Sequence, residues 1–280
     1  MDTGQAHDTD LPVRRSLTLL YAPSVIIALL MAAALVAGLL ARDTVYPTDE
    51  LVQAFVPNDV VTLLVGLPIL LGSMWLARRG RLIGLLLWPG SLFYVLYNYL
   101  VYVLAMPFGA AFLLHVVLLL LSAYTLISLL ASIDGEAVRQ RLAGSVPERI
   151  AGAVLAGLGL LFALWAAAVM IGALASQAAM AETEVALNVT DMTIGPALVI
   201  GGVSLWRRRE FGYVTGLGLL FQTSMLFIGL IIVLLVQPFL TGAPFALVDV
   251  IVVLIMGLIS FVPFILFARG VVSGHGSSTV

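Results

Sequence analysis

Residues 75–109 read WLARRGRLIGLLLWPGSLFYVLYNYLVYVLAMPFG. Arg78, Arg79 and Arg81 cluster at one end, the stretch 82–105 carries no charge, and Met106-Pro107-Phe108-Gly109 ends it. A helix needs about 20 apolar residues to cross a bilayer, so this segment reads as one membrane span rising from a basic collar to a tight turn. The pattern recurs along the chain, and breaks at charged or Pro/Gly-rich stretches predict eight spans: 17–41, 59–77, 82–105, 110–132, 150–176, 190–206, 211–237 and 246–268.

Composition agrees. The chain has 62% hydrophobic and 10% charged residues and a mean hydropathy of +1.15, whereas soluble domains are roughly half apolar and one quarter charged. The excess has to face lipid. There is no Cys, which removes disulfides, thiolate metal sites and thiol nucleophiles, and all 13 basic residues are Arg. Without Lys no Schiff base can form, which excludes retinal and PLP chemistry. The first apolar run follows Arg14 and Arg15 and is too long for a cleaved leader; it is expected to stay in the membrane.

Charge orients the bundle. Arg14, Arg15, Arg78, Arg79, Arg81, Arg139, Arg141, Arg149, Arg207, Arg208, Arg209 and Arg269 fall at alternate connections, and Arg42 alone lies at the other end. Positive loops stay inside, so both termini are expected in the cytoplasm of a prokaryotic plasma membrane, the Arg-only usage pointing to a GC-rich genome. The opposite end holds Asp43, Asp49, Glu50, Asp59, Glu182, Glu184, Asp191 and Asp249. Eight acids against one Arg give it −7, and twelve Arg against seven acids give the inner end +5, which together make the net −2 of the chain.

The halves 1–144 and 145–280 look alike. Trp75 and Pro107 are separated by 32 positions (107−75), as are Trp206 and Pro238 (238−206), and each Trp precedes an Arg cluster. Gly109-Ala110-Ala111-Phe112 echoes Gly242-Ala243-Pro244-Phe245. Four spans per half is an even number, so the expected architecture is all-α and integral to the membrane, an eight-helix bundle of two parallel four-helix repeats.

Polar residues within spans are costly and usually have a reason. Ser91, Tyr94, Tyr97, Asn98 and Tyr102 share a face of the third helix, and His115, Ser122, Thr125 and Ser132 stripe the fourth. A short turn joins these helices, so Asn98 and His115 are expected at similar depth, about 10 Å below the outer surface at 1.5 Å per residue. Two readings stand: polar bonds that hold the hairpin together, or an outward-opening pocket lined by Tyr94, Tyr97, Asn98, Tyr102 and His115, with Asp249 contributed by the other half. The second half has its own polar groups, Gln222-Thr223-Ser224 and Ser260. Asp59, Asp191 and Asp249 are expected in the first turns of their helices, as N-caps or as an acidic outer rim, Asp59 and Asp191 foremost, that draws in cations. Pro68, Pro89, Pro196 and Pro263 lie within spans, where proline is tolerated by default and a kink can expose carbonyls to a cavity; Gly152, Ala156, Gly159, Gly201 and Gly202 mark close helix approach.

No Walker, His-Glu-x-x-His or Gly-x-Ser-x-Gly sequence occurs. Of the three His (His7, His115, His275) two lie in polar tails, so neither a metal nor a cofactor is expected, and connections of at most about 17 residues leave no room for a nucleotide or nucleic-acid domain. The expected function is binding or transport of a small molecule or lipid. The alternatives are a non-catalytic subunit packed against a membrane-protein partner or its own copies, and a lipid-modifying enzyme using His115 with Asp249.

Overall fold

The structure, a computed structural model, describes residues 11–241, 245 and 247–273. His7, His275 and the Gly242–Pro244 landmark lie outside the described residues. Eight helices are long and apolar enough to cross a membrane: α1 Thr18–Leu40, α2 Asp49–Arg78, α3 Leu82–Ala105, α4 Ala110–Ser132, α5 Glu148–Ser176, α6 Glu182–Trp206, α7 Glu210–Thr241 and α8 Leu247–Ser273. The chain is thus a multi-pass helical membrane protein.

Two boundaries differ from the sequence-based ones. α2 begins at Asp49 rather than 59, and α6 at Glu182 rather than 190. Asp49, Glu50, Asn58, Glu182, Glu184 and Asn188 look like connection by hydropathy, with Asp59 and Asp191 at the expected first turns. They are helix because Thr48 caps α2 by accepting from the backbone N–H of Leu51 (3.3 Å), and because early acids suit the positive end of the helix dipole. Asp59 and Asp191 are therefore not N-caps. Each lies on the order of 15 Å along its helix at 1.5 Å per residue.

The central pair is α3 and α7. Of the 24 residues of α3, 18 are buried. It crosses α7 where Gly90 meets Gly218: a Cβ on either glycine would overlap the backbone of the other helix. α5 and α6 also pack closely, with Gly152 and Gly159 against the backbone of α6. Outer faces carry Leu160, Leu164, Trp165, Val248, Ile255 and similar side chains exposed, the surface a lipid solvent requires.

Local sequence explains the irregular points. Residues 62–66 of α2 form a wide, π-type turn just before Pro68. Proline lacks an N–H and its ring clashes with the carbonyl four residues back, and an extra residue in the turn relieves both. The connections after α2 and α6 end alike. Arg81 N–H bonds to the Leu76 carbonyl and Arg209 N–H to that of Ser204, with Gly80 (φ 72°) and Arg208 (φ 54°) left-handed between them. The offset is 128 in each comparison (209−81, 208−80), three short of the 131 that separates Trp75 from Trp206 (206−75). At the same end the segment before α1 pairs with the chain after α4. Arg14 N–H donates to Ser132 O and Asp134 N–H to Pro12 O, both 2.8 Å, and the Arg14 guanidinium lies 3.6 Å from Asp134.

Candidate functional site

Near the acidic ends of the helices a cavity of about 460 Å³ opens where the first four helices meet the last four. α2 contributes Phe55 and Asn58, α3 contributes Tyr94, Tyr97, Asn98 and Tyr102, and α6 contributes Thr183, Glu184 and Asp191. Phe162 of α5 and Leu226, Phe227, Gly229 and Leu230 of α7 complete the apolar wall. This volume falls in the range of small-molecule sites, about 300–1,000 Å³.

The polar wall is built from the α3 stripe and the end of α2. Asn58 Nδ2 donates to Asn98 Oδ1 (2.9 Å) and to the Tyr102 hydroxyl oxygen (3.2 Å), and Asn98 Nδ2 donates to the Tyr94 carbonyl (2.9 Å). The Tyr94 and Thr62 hydroxyls share a bond of 2.8 Å, which uses a residue of the wide turn. Behind this wall lies Asp59, 1% exposed, accepting from the hydroxyls of Tyr102 and Tyr46 at 2.6 Å each. Gly38 of α1 leaves the room, since a Cβ there would overlap Asp59 Oδ2 and the Tyr46 hydroxyl. Tyr46 precedes α2. Burial, reinforced by the Asp59 carboxylate, pushes its hydroxyl well above the ordinary tyrosine range, so it holds its proton and donates.

One bond crosses from the first four helices to the last four inside the cavity: Tyr97 Oη donates to Asp191 Oδ1 at 2.8 Å. At the mouth Glu50 of α2 accepts from the backbone N–H (3.0 Å) and the hydroxyl (2.5 Å) of Thr183, tying the starts of α2 and α6. Next to the main cavity a void of about 10 Å³ is lined by Tyr97, Phe162, Asp191 and Gln222. Gln222 is fully buried, and neither atom of its amide has a partner in the protein. Its neighbours Thr223 and Ser224 turn the other way and bond Ser260 of α8 at 2.6 and 3.1 Å.

The residues singled out by sequence therefore separate. Tyr94, Tyr97, Asn98 and Tyr102 line one cavity together. His115 lies behind it, its ring against Tyr102 (4.9 Å between centroids) and Tyr99 (5.4 Å), and its Nδ1 has no partner. Asn98 bonds Asn58 and Tyr94 instead of His115. Asp249 is exposed in the first turn of α8 and is not among the lining residues. Of the acidic rim, Asp191 lines the cavity while Asp59 is buried behind it. Sequence reasoning did not reach Asn58 or Gln222 as site residues, nor the Asp191 link to Tyr97. The available signal was that Asn58 directly precedes, and Asp59 and Asp191 fall within, the first turns of the expected spans.

Among the described residues no group of three or more His, Cys, Asp or Glu is arranged to hold a metal ion. Comparison with protein-family models, curated proteins and solved structures returns no match.

Proposed function

We propose that this chain binds, and in a lipid bilayer transports, a small molecule or lipid through the cavity between its two sets of four helices. The observation that carries this reading is the cavity itself: one side of its wall is an ordered polar network and the larger remainder is hydrocarbon. A purely structural network would be expected to close on itself, whereas here Tyr97, Asn58 and Asn98 keep a face toward open volume. The Gly90–Gly218 crossing lies one to two turns below and is the natural pivot for opening the other side. His115 and Asp249, which an enzyme acting on lipid head groups would need within about 3 Å, share no described hydrogen bond, and one is buried while the other is exposed.

The reading includes orientation and symmetry. The arginine-bearing end is assigned to the cytoplasm of a prokaryotic plasma membrane, which turns the cavity outward and puts both termini inside. The two sets of helices are taken as parallel repeats, a view the matching turns at Gly80 and Arg208 support. Because the chain has no Cys, a single introduced thiol is an unambiguous reporter. Ala178→Cys is expected to react with an impermeant maleimide on intact cells, and Ser16→Cys only after permeabilisation. The reverse pattern would invert the assignment.

The binding test uses Gly229→Phe. A Cβ at Gly229 meets nothing within 4 Å, and the residue lines the cavity, so the ring fills space without displacing the backbone. Native mass spectrometry of protein released from mild detergent should show a small molecule or lipid on the wild type that Gly229→Phe lacks. A tightly held protein partner with no such adduct would favour an accessory-subunit role instead.

A further inference from the structure

We infer that the cavity takes a primary amine on an apolar body, its ammonium seated between Asp191 and Gln222; this rests on the binding reading above. Asp191 receives a single described side-chain donor, the neutral Tyr97 hydroxyl, and no Arg or His lines either the cavity or the adjoining void. A carboxylate in a weakly polar setting without a cation is costly, and a cationic ligand supplies the missing charge. Glu184 at the mouth adds attraction of the same sign.

Gln222 is the independent observation. Fully buried polar groups nearly always have a partner, yet both amide atoms lack one, and the residue borders a void that reaches the cavity's Asp191 and Tyr97. At about 10 Å³ that void is the size of one water, which is also the size of an ammonium group. A phosphate, a carboxylate or a quaternary ammonium is larger than this, and the first two would also face Asp191 with like charge. An ammonium in the void can donate both to Gln222 Oε1 and to Asp191. A hydroxyl would satisfy Gln222 but leave Asp191 without a counter-charge. Phe162 and Tyr97 line the void together with Asp191 and Gln222, aromatic neighbours suited to a cation, and Leu226, Leu230 and Val233 line the space for the hydrocarbon.

The experiment is calorimetric titration of the full chain in lipid nanodiscs with hexylamine, hexanol and hexanoate, on wild type, Asp191→Asn, Gln222→Leu and Gly229→Phe. Asparagine keeps an acceptor for Tyr97, so Asp191→Asn removes charge with little change in shape. The expected result is hexylamine binding that weakens about tenfold or more in Asp191→Asn, as loss of a charged hydrogen bond implies, and that weakens in Gln222→Leu and disappears in Gly229→Phe. Hexanol or hexanoate binding as tightly as hexylamine, and lost in Gly229→Phe, overturns the amine assignment but leaves the pocket. If no probe gives a signal that Gly229→Phe removes, the amine assignment and the binding reading fall together.

Discussion

At the scale of single residues, Asp59 is held on both sides of its carboxyl group. Its two carboxylate oxygens each accept from one tyrosine, and both tyrosines are buried. Tyr102→Phe or Tyr46→Phe removes a donor from this carboxylate and is expected to cost about 1.5–3 kcal/mol, as hydrogen bonds to charged groups do, measured by thermal unfolding in detergent. His115→Phe keeps the ring contacts with Tyr99 and Tyr102 and removes an Nδ1 with no partner, so a change below about 1 kcal/mol is expected. Alkaline pH also bears on Tyr46, which lies outside the spans. Its folded-state pKa lies above its unfolded value near 10. The stability it contributes is therefore full below about pH 10 and declines above it. Tyr46→Phe should show a smaller alkaline loss than wild type, and equal losses in both would remove Tyr46 from the account. The polar stripe of α3 was legible in the sequence because four of its members repeat at helical spacing in an uncharged span. The carboxylates that complete it were visible only as residues in the expected first turns of their spans; their depth was not, since hydropathy scores Asn58, Asp59 and Asp191 alike whether they face water or the inside of a bundle.

At the scale of elements, α2 shows how a helix aims its side chains. The wide turn over residues 62–66 absorbs an extra residue ahead of Pro68, so the residues before it keep their phase toward α3. One alanine inserted between Val61 and Thr62 adds a residue that the turn does not absorb and rotates Asn58 and Asp59 by about 100° relative to α3. Helical content by circular dichroism should survive, while stability falls by a few kcal/mol, the sum of several bonds at roughly 0.6–2 kcal/mol each. An insertion variant as stable as wild type would mean that the Asn58–Asn98 and Asp59–Tyr102 bonds contribute nothing. Six of the eight spans could be placed from hydropathy to within a few residues. The exceptions, α2 and α6, are the two whose polar first turns belong to the cavity, so the misread boundaries and the site have one cause.

At the scale of the whole molecule, stability and open volume are separated along α7. At Gly218 the helix touches α3 backbone to backbone; at Gly229 it borders open space. Gly218→Val and Gly90→Val should each destabilise by about 1–3 kcal/mol or more through overpacking. Gly229→Phe should leave the unfolding temperature unchanged or raised, because glycine in a helix interior is about 1 kcal/mol worse than alanine. Comparable losses at all three sites would deny the distinction. Which helices face one another across the centre was not in the sequence: Asp249 was the expected contribution of the second half, and Asp191 of a different helix holds that place. Hydropathy periodicity assigns faces to helices but not neighbours to faces.

The pairing of residues 12–14 with residues 132–134 bears on how the chain is made. Synthesis runs from the first residue, and domains close as their last contacting element emerges. The opening segment has no partner until α4 has left the ribosome, so the first four helices are fastened as a unit before α5 exists. Tyr97 then waits, hydroxyl unclaimed by Asp191, through the production of 57 further residues (191−134). During that interval the newborn half presents its polar wall to lipid or to the insertion machinery, and the arrival of α6 ends the exposure.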